Sequence, residues 1–145
     1  MELTESQSRL LRAALTGLLP GNDAWPAAGE LGVEERIAEL AGLDPDHPAA
    51  LSTFLDGLPD GFAELAAAGR HDALKAMESD EPDAFGVVMV LAYNAYYTHP
   101  EVLAVVSERT GYAARAPQPE GYELDPFDES LLATVRQREP LWRRV

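Results

Sequence analysis

The sequence predicts an all-α protein, and three observations lead to that prediction. Every long segment with a readable hydrophobic period repeats at helical spacing, and no segment alternates polar and β-branched residues as a strand would. The length of 145 residues is close to that of one ordinary domain. Hydrophobic residues make up 46% and charged residues 25%, as is typical of folded globular proteins. We therefore expect one domain over residues 1–145, an irregular bundle of short helices around a central apolar helix.

The N-terminal region predicts two short helices with clear start and stop signals. Thr4 and Gln7 have the spacing of a capping box, which starts the first helix, and the turn that begins at Pro20 ends it. After a loop, apolar residues at helical spacing predict a second helix from about Val33 to Ala41. Both helices have one apolar face, so we expect each to pack against the same core.

Two more short helices are expected in the middle of the chain, on either side of a turn at residues 59–61. The apolar faces of these two helices are formed by Leu51, Phe54 and Leu55 and by Phe62, Leu65 and Ala66. The segment 71–77 is expected to add one or two helical turns. The middle of the chain thus predicts short elements rather than one long helix.

The segment from Asp83 to about Tyr97 predicts the most apolar helix of the chain. Apolar side chains occupy nearly its whole circumference, a pattern normally found at the centre of a bundle. Thr98 and Glu101 have the spacing of a second capping box and predict a further short helix over 102–108. We expect the helix 83–97 to organise the core.

The C-terminal region predicts a long loop, a last helix and a basic tail. Residues 110–127 contain several Gly and Pro residues and show no period, so this extended loop is either disordered or laid against another surface. The tyrosines within it favour the second alternative. A final helix over 129–138 is expected to turn Leu131, Leu132 and Val135 inward. The only basic patch lies at this end of the chain, because the last ten residues, 136–145, hold four Arg and one Glu and include the tail 139–145.

Composition excludes several classes of partner and chemistry. Twenty-five acidic and eleven basic residues leave a net charge of −14, which would repel phosphate backbones and anionic membranes. We expect no nucleic-acid partner and no membrane insertion. The absence of cysteine excludes disulfides, thiolate metal sites and a cysteine nucleophile. The acidic, polar start lacks an export signal, so we expect a cytoplasmic protein, or a periplasmic one if a signal has been removed.

No motif in the sequence predicts a catalytic, cofactor or metal site. His47, His71 and His99 are too far apart along the chain for helical metal ligands, and no phosphate-binding glycine-rich loop is present. Tyr97 and His99 could transfer protons, which leaves open a small stand-alone enzyme that uses these two residues. The simpler interpretation is structural, with His99 at a helix start and Tyr97 in or beside the core. We expect the chain to bind no metal, flavin or nicotinamide by itself.

Several aromatic residues lie outside the helical segments, where they resemble the core of an interface. Trp25 lies in a predicted loop, Tyr112 and Tyr122 lie in or beside the long loop, and Trp142 lies in the tail next to Arg143 and Arg144. The candidate partner-binding residues are Tyr112, Pro117, Pro119, Tyr122, Phe127, Trp142, Arg143 and Arg144. Alternatively, these aromatics fold back over their own bundle, or the chain is an acidic regulatory module that binds a basic protein.

A series of short motifs runs in a recognisable order along the chain. The first motifs are Leu18-Leu-Pro-Gly-Asn-Asp23, Trp25-Pro26, Gly29-Glu-Leu-Gly-Val33 and Ile37-Ala-Glu-Leu40. The later ones are Ala95-Tyr-Tyr-Thr-His-Pro-Glu-Val102, Gly111-Tyr112, Pro117-Gln-Pro119, Gly121-Tyr122 and Pro140-Leu-Trp-Arg143. In this order, the motifs resemble the small subunit of gluconate 2-dehydrogenase, often called its third subunit. The resemblance extends over nearly the whole chain, except that residues 43–84 contain few matching motifs.

This resemblance implies an accessory function. Members of the family are non-catalytic partners of flavin-dependent oxidoreductases of the glucose-methanol-choline (GMC) type, which oxidise sugars, gluconate or glycosides. The FAD is then expected in the large subunit, and the small subunit binds and stabilises it. Many family members carry a twin-arginine export signal, which this sequence lacks at its start. The expected assembly is a heterodimer in which this chain is not an enzyme.

Overall fold

The computed structural model describes residues 2–112 and 126–138, and the chain divides into two compact units, Met1–Ala114 and Arg115–Val145. The described residues of the first unit form a bundle of six α-helices, and those of the second form a short helical segment. No β-strand occurs in these two described ranges; residues Asn22 and Trp25 form one isolated bridge. The predicted all-α fold is therefore confirmed.

Seven α-helices and three short 3-10 helices follow one another along the described chain. The α-helices are α1 (Glu5–Leu18), α2 (Glu34–Ala41), α3 (His47–Asp56), α4 (Ala67–Asp80), α5 (Pro82–Tyr97), α6 (Pro100–Thr110) and α7 (Ala133–Arg136). The 3-10 helices are Ala28–Glu30, Phe62–Glu64 and Glu129–Leu132.

Helix α1 forms as the sequence predicts. The Thr4 hydroxyl accepts a hydrogen bond from the Gln7 N–H, and the Gln7 side chain accepts one from the Thr4 N–H, so the capping box is complete. This box satisfies two backbone groups that the first helical turn cannot pair internally. The exposed positions of α1 are polar, while Leu11 and Leu15 on its inner face are completely buried.

The core of the first unit draws on α1 to α6 and on the turn at Phe62. Helix α5 packs against α2, α3, α4 and α6, whereas α1 packs against α2, α3, α4 and both 3-10 turns of this unit. The largest fully buried side chains are Phe54, Phe62, Leu11, Leu15, Ile37, Leu51, Val88 and Val102. Burial of one such apolar side chain contributes about 1.5–3 kcal/mol. The predicted central position of α5 is borne out by its four helical neighbours.

The region after α3 differs from the prediction. Phe62 is fully buried, but only the 3-10 turn Phe62–Glu64 forms, because the backbone of Leu65 and Ala66 is extended. The chain then re-enters a helix, α4, which runs from Ala67 for 14 residues and far exceeds the expected one or two turns. Only Leu74 and Met77 of α4 are buried, so its apolar period is weak even though most of its residues favour helix.

The start of α6 also differs from the prediction. The extended backbone of His99, not that of Thr98, provides the N-cap, and the Nδ1 atom of His99 accepts a 3.4 Å hydrogen bond from the Glu101 N–H. Thr98 keeps a helical backbone and donates its hydroxyl to the Asn94 carbonyl at 2.6 Å. The expected capping box of Thr98 and Glu101 is therefore wrong, because an N-cap residue needs a non-helical backbone.

The described part of the second unit is short and exposed. Asp128 accepts hydrogen bonds from Ser130, which lower the pKa of its carboxyl group, and so begins the 3-10 turn that leads into α7. Leu131 is 68% exposed and Val135 is 58% exposed, while Leu132 is half-buried. The expectation that these three side chains turn inward is wrong for Leu131 and Val135, because the segment forms two brief helical turns rather than one continuous helix.

Within 2–112 and 126–138, no helix combines the length and the apolar character needed to cross a membrane.

Candidate partner-binding surface

The two predicted partner-binding residues that the structure describes are both exposed. Tyr112 follows the end of α6 and is 53% exposed, and Phe127 precedes the last 3-10 turn and is 65% exposed. The other predicted residues, Pro117, Pro119, Tyr122, Trp142, Arg143 and Arg144, lie outside the described residues. Tyr112 is held by a hydrogen bond from its N–H to the Thr110 hydroxyl at 3.2 Å. This bond ties the backbone of Tyr112 to the last residue of α6.

A second exposed apolar surface lies on α5 and was not assigned from the sequence. Val90, Tyr93 and Tyr97 are 54%, 44% and 50% exposed, and their spacing of three and four residues places them on one face of the helix. We call these three residues the α5 stripe. The opposite face is buried, with Val88 and Ala92 fully inaccessible to solvent. Helix α5 therefore has an apolar face toward the core and another toward solvent.

The aromatic rings of the α5 stripe are ordered by contacts along the helix. The rings of Tyr93 and Tyr97 lie 6.1 Å apart at 35°, and the ring of Tyr97 meets that of Tyr96 edge-on at 5.1 Å. Such aromatic pairs stabilise one another by about 0.5–1.5 kcal/mol beyond burial. The stripe is therefore a prearranged surface, which lowers the entropy lost when it is covered.

Tyr96 fastens this part of α5 to the loop after α1. It is 5% exposed, and its hydroxyl donates a 2.8 Å hydrogen bond to the carbonyl of Pro26. Burial, with a smaller contribution from the neighbouring Tyr97, raises the pKa of Tyr96 above 10.0. The phenol thus acts as a neutral hydrogen-bond donor in the fold. Tyr96 belongs to the core, whereas Tyr97, one residue later, faces outward.

The arrangement of Tyr97 and His99 matches the structural interpretation of these residues. The Nδ1 atom of His99 accepts a hydrogen bond from the first turn of α6. Tyr97 lies beside the core, where its ring contacts that of Tyr96. The ring contacts of Tyr97 are with other tyrosines. In the described structure, His99 thus caps a helix and Tyr97 is part of an aromatic cluster.

Trp25 belongs to the fold of the first unit. Its ring packs against the core, and the guanidinium of Arg109 lies 5.8 Å from the ring centroid, a cation–π distance. The side chain of Asn22 accepts hydrogen bonds from the N–H groups of Ala24 and Trp25 and so shapes this turn. For Trp25, the alternative that it covers its own bundle is the one that the structure supports.

One buried charge was not expected from the sequence. Glu34 is 2% exposed and forms an ion pair with Arg12 of α1. As the first residue of α2, Glu34 looks like a solvated carboxylate that favours a helix N-terminus. Only the fold shows that α1 and its Arg12 cover it. The ion pair links α1 to α2. It also balances the negative charge of Glu34, so the burial of this carboxylate needs no bound ligand to explain it.

Asp44 and His47 do not form a convincing metal site. Their Oδ2 and Nε2 atoms lie 4.0 Å apart across the start of α3. In the described ranges, no group of three or more His, Cys, Asp or Glu side chains is arranged to hold a metal ion.

Comparisons with the models of known protein families, with curated proteins and with solved structures find no match to this chain. The functional inference therefore depends on the chain's own residues and on the motif resemblance described above.

Proposed function

We propose that this chain is a non-catalytic small subunit that binds and stabilises an FAD-dependent, GMC-type catalytic subunit that oxidises a sugar or glycoside. The order of motifs from Leu18 to Arg143 is the origin of this proposal. The structural observation that carries it is the exposure of Tyr112 and Phe127, which flank the segment 113–125. Large aromatic side chains are enriched in the cores of protein interfaces, where one partner removes them from water.

Several residues of these motifs have structural functions in the fold of this chain. Gly29 lies so close to α1 that a Cβ atom there would be 2.1 Å from the Thr16 hydroxyl and 2.5 Å from the Arg12 carbonyl. Asn22 shapes the turn before Trp25, and His99 caps α6. These motif residues thus shape the helical body of the first unit, as the proposed structural function of the chain expects.

The proposed partner surface comprises the region from Gly111 to Phe127 and the tail from Pro140 to Val145. Tyr112, Tyr122 and Trp142 are the proposed anchors, and Arg143 and Arg144 would orient the complex through acidic residues of the partner. Replacement of a buried aromatic anchor typically costs 2 kcal/mol or more. We therefore expect Trp142→Ala to weaken association by about 2 kcal/mol while the helix content of the chain is unchanged.

Co-expression with a GMC-type flavoprotein from the same genome tests the proposal. We expect the two chains to elute together in size exclusion, with one FAD signal that belongs to the large subunit. The yield of soluble, FAD-containing large subunit should fall when this chain is omitted. If the two chains elute separately and the flavoprotein is equally soluble alone, the proposed function is wrong.

A further inference from the structure

Helix α5 has an exposed face that its own fold does not explain. A helix with apolar residues all round is normally enclosed, yet Val90, Tyr93 and Tyr97 remain about half exposed in the described structure. A lone exposed apolar residue such as Leu43 needs no explanation. Three such residues on consecutive turns, two of them tyrosines in ring contact, form a continuous apolar row. Exposed apolar rows often belong to interaction sites, so the stripe is a candidate contact surface.

The charge distribution around the α5 stripe limits what can cover it. Residues 84–100 contain no Asp, Glu, Lys or Arg, whereas residues 1–112 as a whole contain nineteen acidic and six basic residues. The stripe is therefore an uncharged row on a strongly acidic body. Interfaces commonly combine a centre depleted in charge with a polar rim whose charge complements that of the partner. The expected partner surface is apolar at its centre and basic around it.

Charge and surface area both argue against a second copy of this chain as the molecule that covers the α5 stripe. Each copy carries a net charge of −14, so two acidic bodies would repel one another around the stripe. A half-exposed tyrosine offers on the order of 100 Å², while a stable interface needs about 800 Å² from each partner. The stripe can therefore form the centre of an interface only if a large complementary surface supplies the remainder.

We propose that the α5 stripe is a docking surface for the flavoprotein large subunit, at an apolar patch ringed by lysine and arginine side chains. This inference rests on the function proposed above and adds a contact region to the surface proposed for Tyr112 and the tail. Val90 and the two tyrosine rings fill the apolar patch, and the tyrosine hydroxyls donate to acceptors at its edge. The net negative charge of residues 1–112 attracts the basic rim.

A calorimetric titration of the full chain into a purified, FAD-containing GMC-type subunit tests this inference. Val90→Glu places a charge within the row at an exposed helical position, and we expect it to weaken association at least tenfold. Leu43→Glu is the matched control, because it introduces the same charge at a residue that is 80% exposed and lies outside α5, in the loop between α2 and α3. This control should bind within about twofold of the unaltered chain. Circular dichroism and thermal melting should show both variants folded.

Tyr93→Ala provides a second variant in case Val90→Glu disturbs the helix, and we expect it to weaken binding in the same direction. Raising the salt concentration from about 0.05 M to about 0.5 M should also weaken the complex, because opposite charges at the rim are screened. Unchanged affinity at high salt would contradict the proposal that basic side chains of the partner surround the stripe.

The remaining outcomes separate this inference from the proposed function. If the unaltered chain binds the flavoprotein and both α5 variants bind equally well, the docking surface lies elsewhere and the proposed function stands. If the unaltered chain does not bind at all, the proposed function fails and this inference fails with it. If the chain alone forms a dimer that Val90→Glu disperses, the occupant is a second copy and the inference is wrong.

Discussion

Helices α1 and α5 both bury one apolar face in the same core, but they differ in what they show to solvent. The exposed positions of α1 include Glu5 and Arg9, as expected for a helix whose only function is to pack on one side. The exposed positions of α5 include Val90, Tyr93 and Tyr97. The sequence of α1 is thus fully explained by the fold of this chain. The sequence of α5 is explained only in part, and the unexplained part is the proposed contact with another protein.

The largest expected effect tests how closely α1 is packed. Gly29→Ala would place a Cβ atom 2.1 Å from the Thr16 hydroxyl and 2.5 Å from the Arg12 carbonyl, and the latter is backbone and cannot move aside. We expect a loss of about 3 kcal/mol in the free energy of unfolding, measured by urea denaturation. Gly86→Ala on α5 is the control, since a Cβ atom there meets nothing within 4 Å. It should stabilise the chain by about 0.5–1 kcal/mol through helix propensity. Equal effects of the two substitutions would contradict this comparison.

The next effect compares two valines on the two faces of α5. Val88 is fully buried and Val90 is 54% exposed, so the same change to alanine should have different results. We expect Val88→Ala to lower the free energy of unfolding by about 2 kcal/mol and Val90→Ala to change it by less than about 0.5 kcal/mol. Denaturation of the chain without any partner is the measurement. A large loss at Val90 would show that this face is already covered by the chain itself.

A smaller effect concerns the bond that ties α5 to the loop after α1. Tyr96→Phe removes the donor to the Pro26 carbonyl, so we expect a loss of about 1 kcal/mol near neutral pH. Because the pKa of Tyr96 is raised in the folded chain, its stabilising contribution is complete below about pH 10 and declines as the pH rises through the folded value. Thermal melts between about pH 8 and 11 should therefore show a steeper loss for the unaltered chain than for Tyr96→Phe. Parallel pH profiles would mean that Tyr96 does not titrate in this way.

The sequence predicts the parts of the fold that depend on local signals. The Thr4–Gln7 capping box and the start and end of α5 are found within a residue or two of the expected positions. The prediction is wrong where backbone conformation or tertiary contacts determine the position at which a helical element begins or ends. The extended backbone at Leu65 limits the turn at Phe62, and the extended backbone of His99 makes it the cap that Thr98 was expected to be. Neither conformation has a hydrophobic period that could have revealed it.

The candidate surfaces were predictable to different degrees. Tyr112 and Phe127 stand outside any helical pattern, so their exposure could be expected from the sequence. The exposure of Tyr93 and Tyr97 could not, because a helix that is apolar all round predicts burial on every side. Glu34 is the opposite case, since its burial depends on the position of Arg12 on another helix. For Tyr93, Tyr97 and Glu34, the missing information is which helix faces lie next to one another.

Chemical modification of the tyrosines, read by mass spectrometry, is the most direct test of the central claim that the α5 stripe faces a partner. In the free chain, nitration should modify Tyr93, Tyr97 and Tyr112 and spare Tyr96, which is buried and serves as an internal control. In the complex with the flavoprotein, we expect Tyr93 and Tyr97 to become protected. Equal modification of Tyr93 and Tyr97 in the free chain and in the complex would contradict the account.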